Sequence, residues 1–309
     1  VVDRSTGQIN DAVFHDIREH LPERSLLVLN NSKVVPARLH ARKPTGGRVE
    51  LFIAEVRDDY RWLVLIKPAR RLKPGAELSL DGQGKVILRQ RCPDGRFWVD
   101  STLPAAKAYE QGDVPLPPYI RRAPEPDDRE RYNTVYGREA GSAAAPTAGF
   151  HFSRELLAEL KRAGHDTVEC TLHVGLGTFS PVRTEIVESH AMHSESYCLT
   201  AEALARIREA KSTRRPVIAV GTTSVRVLET AADCLDTPGP LRGRTDIFIR
   251  PGYRFRVVDH LLTNFHTPYS TLLALVYAFG GTELTRRAYT HAVAGRYRFL
   301  SYGDCMFIR

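Results

Sequence analysis

The sequence predicts an α/β protein with a small all-β piece inserted into it. Three observations carry this. Strand-sized and helix-sized runs alternate from about residue 153 onward, which implies an α/β layer or barrel with a largely parallel sheet. A block from 39 to 114 holds only short runs split by tight-turn residues, the texture of a small antiparallel barrel or sandwich. Clusters of small, hydroxyl and ionisable residues fall where apolar runs end, which is where ligands bind in such sheets.

In order, residues 11–21 place Val13, Phe14, Ile17 and Leu21 at helical spacing, and 26–29 is a short apolar strand. Asn30-Asn31-Ser32 reads as a turn whose side chains bond their own backbone, and Pro36 keeps the chain extended into Arg38. Strands are expected over 49–56, 61–66, 77–80, 85–91 and 96–100, parted by Asp58-Asp59, Pro74-Gly75, Asp81-Gly82 and Pro93-Asp94-Gly95. A helical pattern covers 103–111, and a proline-rich irregular stretch runs over 115–138, long enough to expect a functional role.

Beyond it, Ser153 is placed to cap a helix over 154–163 that Gly164 ends. Strands follow at 167–173, 216–220, 245–249 and 256–262. Helices follow at 201–211 (capped by Thr200), 224–235, 270–279 and 282–294. The expected domains are 1–38 with 115–309, and 39–114 as the insertion.

Hydrophobic content of 42% and charged content of 26% are ordinary for a globular protein. No apolar run approaches the roughly 20 residues of a membrane-spanning helix, so no membrane role is expected. The 5 cysteines are scattered and odd in number, which points to a reducing cytoplasm rather than a disulfide or zinc framework. Net charge is +8, and residues 38–114 hold 15 Lys/Arg against 10 Asp/Glu. That concentration suggests a polyanionic partner, nucleic acid.

The densest polar stretch is 171–195. It contains His173, Gly175, Gly177, Arg183, His190, His193 and Glu195. Other polar loops are Pro146-Thr147-Ala148-Gly149-Phe150-His151, Gly221-Thr222-Thr223-Ser224-Val225-Arg226 and Thr263-Asn264-Phe265-His266. The glycine and hydroxyls before a helix suit a carboxylate or phosphate, without the spacing of a nucleotide P-loop. Asn264, Phe265 and His266 suit a nucleobase, by stacking and edge hydrogen bonds. His190, His193 and Glu195 have zinc-ligand chemistry but lack the His-Glu-x-x-His helix, so metal is not favoured and the histidines read as proton shuttles. No Gly-x-Ser-x-Gly elbow and no Gly-x-Gly-x-x-Gly fingerprint occurs.

Taken together, the stretches 30–39, 115–120, 145–149, 171–175, 190–195, 221–226, 263–266 and 297–304 occur in an order that closely resembles the S-adenosylmethionine:tRNA ribosyltransferase-isomerase family of queuosine biosynthesis. The resemblance runs end to end. It implies a large α/β barrel-like domain with a small inserted antiparallel β-barrel, and a further N-terminal stretch before Val1. It also implies a reaction in which S-adenosylmethionine donates its ribosyl group to 7-aminomethyl-7-deazaguanine at the tRNA wobble position. The products are epoxyqueuosine-tRNA, adenine and methionine, and no metal is required.

Loss of adenine needs a proton donor, and the sulfonium carbon needs a base. His173, His193, Glu195 and His266 are the expected catalytic residues. Thr147, Gly149, His151, Gly175, Gly177, Arg183, Thr222, Thr223, Ser224, Arg226, Asn264, Phe265, Tyr302 and Asp304 are the expected substrate contacts. Arg61, Lys67, Arg70, Arg71, Lys73, Arg121 and Arg122 are the expected tRNA contacts. Thr267, Tyr269 and Ala274 depart from the family pattern. The alternatives are a metal-dependent hydrolase using His190, His193 and Glu195, and a non-catalytic tRNA-binding relative.

Overall fold

The computed structural model describes residues 1–175, 177, 190 and 192–309. Its strands, in chain order, are β1 Leu26–Asn30, β2 Ser32–Val34, β3 Arg38–Arg42, β4 Arg48–Asp58, β5 Arg61–Lys67, β6 Glu77–Leu80, β7 Lys85–Arg91, β8 Phe97–Ser101, β9 Glu139–Ser142, β10 Asp166–Leu172, β11 Glu195–Leu199, β12 Val217–Val220, β13 Leu241–Thr245, β14 His260–Asn264 and β15 Cys305–Ile308. The helices are α1 Ile17–His20, α2 Ala105–Glu110, α3 Asp128–Arg131, α4 Arg154–Arg162, α5 Ala201–Ser212, α6 Thr222–Thr230, α7 Thr271–Gly280 and α8 Thr282–Ala294. The chain forms two compact units: Val1–Lys33 with Asn133–Glu139 and Ala145–Arg309, and Val34–Tyr132 with Ala140–Ala144. The second unit therefore also takes in the proline-rich stretch up to Tyr132, beyond the expected limit at 114.

That unit holds a closed antiparallel barrel, in the order β3-β4-β5-β8-β7-β6. Alternation drives it: β3 and β8 bury every second side chain, and Leu39, Leu51, Trp62, Ile66, Leu78, Leu88 and Phe97 fill the interior. Outside, Asp100 accepts from Arg61 at 3.0 Å and Arg89 at 2.6 Å.

The first unit is built on a seven-stranded mixed sheet, order β13-β11-β10-β1-β12-β14-β15. Its four central strands, β10, β1, β12 and β14, are mutually parallel, and the flanking pairings are antiparallel. β1 is buried at every position, as expected of a parallel strand covered on both faces. Leu27, Leu29, Ile218, Val220, Leu262 and Phe307 pack beneath Phe152, Leu156 and Leu160 of the α4 region, with Ile17 and Leu21. The Ser153, Thr200 and Ser270 hydroxyls accept from Leu156, Ala203 and Leu273 N–H and so start α4, α5 and α7.

Several segments differ from expectation: β3, β9, β11 and β15 were not expected as strands, and the helix expected at 224–235 lies at Thr222–Thr230. The 11–21 helix shrinks to a 3-10 turn and α1, with Val13 67% exposed instead of facing the core. The strands expected at 245–249 and 256–262 lie instead at Leu241–Thr245 and His260–Asn264. β13 is an exposed edge strand, so it needs no apolar alternation. The N–H groups of Arg256, Val257 and Val258 are consumed not by a strand but by the buried Glu229 carboxylate.

Parallel topology positions the site. Because β1, β10, β12 and β14 run together, their carboxyl ends, at Asn30, Leu172, Val220 and Asn264, share one edge of the sheet. β11 and β15 run the other way, and so begin at that same edge, at Glu195 and Cys305. Each polar stretch of the first unit therefore arrives at one rim.

Candidate functional site

The rim is anchored by a buried ion pair. Arg226, on the second turn of α6, donates to Glu195 Oε2, and the Gly175 N–H donates to Glu195 Oε1 at 2.7 Å. A second guanidinium nitrogen reaches Thr245 O at 3.4 Å, and Arg226 Nε has no hydrogen-bond partner. The side chains are only 9% and 4% exposed, so their desolvation is offset by their mutual attraction and these hydrogen bonds. Both oxygens of Glu195 are engaged. It is built to fix and polarise its surroundings, not to serve as a free base.

A cavity beside this pair is lined by His190, His193, Ile247, Phe248, Ile249 and Leu275, among others. The His190 ring packs edge-on against Phe248 at 5.7 Å, and His193 is exposed. Gly177 exists to admit His193. A Cβ on Gly177 would lie 1.9 Å from ring Cδ2 and 2.4 Å from Nε2. The glycine therefore makes space for this histidine rather than for a ligand. Among the described residues no three His, Cys, Asp or Glu side chains are grouped to hold a metal ion.

Three further histidines sit on the rim, and burial lowers the basicity of each. His266 is pushed to about 4 by burial; its Nε2 lies 2.9 Å from Thr263 Oγ1, and its N–H donates to Tyr289 OH at 2.9 Å. His173 is lowered by burial against the opposing pull of Glu139, and its Nδ1 is buried without a partner. His151 is lowered by burial, which its bond to Asn264 and the charge of Asp304 partly oppose. The Asn264 amide nitrogen donates to Leu300 O at 2.8 Å and to Ser301 O at 3.4 Å, so its oxygen faces His151 Nε2, 3.2 Å away. That nitrogen must then carry the proton, which fixes the tautomer of the neutral ring.

Several expected contacts are spent elsewhere. Ser224 Oγ is fully buried and donates to Val220 O at 2.8 Å, the carbonyl four residues back, so it braces α6 rather than meeting a ligand. Phe265, 3% exposed, lies in an aromatic core against Phe299 (4.9 Å), Tyr289 (5.3 Å) and Tyr297 (5.8 Å), and offers no free face for a base. Asn264 is committed to the 300–301 backbone and His151. Asp304 accepts from Arg298 N at 2.7 Å and closes its own turn.

Thr147 opens the 3-10 turn Thr147–His151, and Ala148 of that turn abuts Gly221, whose absent Cβ would lie 3.5 Å from Ala148 Cβ. Thr222 and Thr223 begin α6, with Thr223 Oγ1 buried and unpartnered. Arg183 lies outside the described residues. Tyr302, an expected contact, is 44% exposed and stacks at 5.6 Å and 22° on Phe150, the platform residue that sequence reasoning missed. Its signal was the Phe150-His151-Phe152 run.

Among the expected tRNA contacts, Arg122 forks onto the buried Asp128 at 2.6 and 2.7 Å, and Arg61 is shared with Asp100. Lys67, Arg70, Arg71, Lys73 and Arg121 are exposed and have no carboxylate partner among the described residues.

The family described as "Queuosine biosynthesis protein" matches residues 1–308. The chain is 47% identical to a protein of Nitratidesulfovibrio vulgaris named S-adenosylmethionine:tRNA ribosyltransferase-isomerase, over 100% of this chain and 90% of that one. It is 46% identical to one of the same name from Caldanaerobacter subterraneus, covering 100% and 91%. The crystal structure of S-adenosylmethionine tRNA ribosyltransferase from Thermotoga maritima is similar, with a TM-score of 0.55 and 34% identity, over 100% of this chain and 90% of that one.

Proposed function

The chain belongs to the queuosine biosynthesis protein family, and from that premise we propose how its rim carries out the reaction of an S-adenosylmethionine:tRNA ribosyltransferase-isomerase. The substrates are S-adenosylmethionine and a tRNA carrying 7-aminomethyl-7-deazaguanine at the wobble position. The ribosyl group moves to the aminomethyl nitrogen and rearranges, while adenine and methionine depart.

The observation that carries this reading is the convergence on one strand-end rim of a charged anchor, several histidines held neutral and a stacked aromatic platform. Phe150 and Tyr302 offer the sequence-tolerant face a nucleobase stacks on. His173, neutral and with a nitrogen lone pair unmatched, is suited to take the proton from the sulfonium carbon. His193, reaching the cavity from solvent, is suited to deliver a proton to departing adenine. His266, pushed down to about 4 and so neutral at physiological pH, does not serve as an acid there; with Thr263 it polarises the rim as a fixed dipole. Arg226 and Glu195 hold the Gly175 turn in place. Thr147, Gly149, Thr222 and Thr223 face the donor from the two loops that meet at Gly221. Lys67, Arg70, Arg71, Lys73 and Arg121 grip tRNA phosphates.

No helix among the described residues is long and apolar enough to cross a membrane. Cytoplasm is the compartment we infer, from a tRNA substrate and cysteines that are all free.

The test is adenine release from S-adenosylmethionine in the presence of precursor-modified tRNA. Release that depends on the modified base supports the reading. Binding of that tRNA without any release makes the chain a binding relative instead.

A further inference from the structure

Buried polar atoms without partners are rare in folded proteins, and those of the first unit gather mostly at one edge of its sheet, with His260 Nδ1, at the start of β14, the exception. Ser32 Oγ, His173 Nδ1 and Thr223 Oγ1 lie within three residues of the carboxyl ends of β1, β10 and β12, three neighbouring parallel strands. Thr134 Oγ1 and Tyr136 OH, from the crossing segment Asn133–Glu139, are buried there too and meet only each other. That segment is tied to the same edge: Arg138 and Glu139 N–H donate to Asn31 O at 2.9 and 3.1 Å. A Cβ on Gly137 would lie 3.2 Å from Thr134 Oγ1 and 3.4 Å from Ser32 O.

Gly149 shows that the arrangement is specific. A Cβ there would lie 2.0 Å from Tyr136 OH and 2.6 Å from Thr134 Cγ2, so only glycine lets the phenol reach this position. Gly149 neighbours Ala148, which abuts Gly221, and so Tyr136, Thr134 and Thr223 border one locality beneath the 147–151 turn. Thr134 and Ser32 are 6% and 0% exposed. Burial, with Cys170 and Glu169 nearby, raises the Tyr136 phenol far above its ordinary value against the opposing hydrogen bond with Thr134, and keeps it a hydroxyl.

We infer that Thr134 and Tyr136, with Thr223, bind the vicinal hydroxyls of the ribosyl group of the donor. This rests on the functional reading above. The groups gathered here are hydroxyls, each able to donate and accept, as each hydroxyl of a diol can. They supply no countercharge, so a carboxylate or ammonium placed here would be desolvated without compensation. A planar base has its own platform in Phe150, adjacent in sequence to Gly149. The sugar is also the part that reacts, so holding its hydroxyls holds the reacting carbon.

The experiment compares wild type, Tyr136→Phe and Thr134→Val, each measured by thermal melting and by calorimetric binding of S-adenosylmethionine and its 2′-deoxy and 3′-deoxy analogues. Adenine release is followed in parallel. Each variant removes a hydroxyl and little else, so both should melt at or above the wild-type temperature and bind S-adenosylmethionine about tenfold more weakly. Wild type should lose affinity for a deoxy analogue, and the variant lacking the matching hydroxyl should lose little more. A lower melting temperature with unchanged affinity makes these groups part of the core and overturns the proposal. Equal losses for the deoxy analogues in wild type and variants overturn it too. If wild type binds S-adenosylmethionine without releasing adenine, the catalytic reading fails, and the binding comparison still decides the diol site.

Discussion

At the residue scale, the buried Glu195–Arg226 pair is the interaction whose loss is easiest to read. Removing one member leaves the other charge in a site only a few per cent exposed, a change that typically costs about 3–5 kcal/mol. Glu195→Gln is therefore expected to lower unfolding stability by about that amount in urea titrations. Adding Arg226→Met to it should recover most of the loss without restoring adenine release. Purely additive losses in the double variant would mean the two side chains act independently.

His266 makes a second prediction at this scale. Its folded value of about 4 lies below the ordinary 6.5, so the unfolded chain takes up the proton first. Its contribution is fully present above about 6.5 and is lost as pH falls toward 4, on the order of 2 kcal/mol after allowance for its partial solvent contact. His151 and His173 shift in the same direction. His266→Gln should flatten the fall in stability between pH 6.5 and 4; an unchanged slope would assign that fall to other groups.

At the element scale, the turn at Gly177 and the start of α6 determine what the rim can present. Gly177→Ala drives a methyl into the His193 ring, so it should lower turnover about as much as His193→Ala, with the unfolding midpoint nearly unchanged. Combining the two should add little, since the ring the methyl displaces is already gone; additive losses would show that Gly177 acts by another route. Elements were legible in the sequence wherever local chemistry decided them. Ser153, Thr200 and Ser270 announced their helices because a hydroxyl at a helix start has one well-defined acceptor role. Five of the six barrel strands were legible because each is bounded by its own turn residues, and β3 was not, since it runs on from the extended chain after Pro36 with no turn before it. β13 was not, because an exposed edge strand of Leu-Arg-Gly-Arg-Thr carries no apolar alternation. Ile247, Phe248 and Ile249 passed for a strand because residues lining a cavity and residues in a core share one composition. Similarly, Phe265 and Ser224 carried the residue types of a ligand site, and only packing shows that their groups are spent. Thr134 and Tyr136 had no sequence signal beyond an irregular loop, since the surroundings of a buried hydroxyl are a fact of three dimensions.

At the scale of the whole molecule, charge is divided between anchoring and binding, and the two can be separated by salt. The chain carries +8, yet many cations are already engaged: Arg122 by Asp128, Arg61 and Arg89 sharing Asp100, Arg226 by Glu195. What is left over in the barrel unit includes the short run Lys67, Arg70, Arg71 and Lys73, exposed and without carboxylate partners among the described residues. A cation that meets a phosphate displaces a condensed counterion, so tRNA affinity should fall steeply as salt rises. Replacing Lys73 with Ala should weaken tRNA binding and reduce the slope of log affinity against log salt by about 1. Replacing Arg122 should instead lower stability, because its fork holds a buried Asp128, and leave the slope nearly as it was. Turnover at saturating tRNA should be untouched by Lys73→Ala, since that side chain belongs to the barrel unit and the reacting groups to the other. A salt slope that ignores Lys73 but responds to Arg122 would reverse the assignment and move the phosphate grip off the 67–73 run.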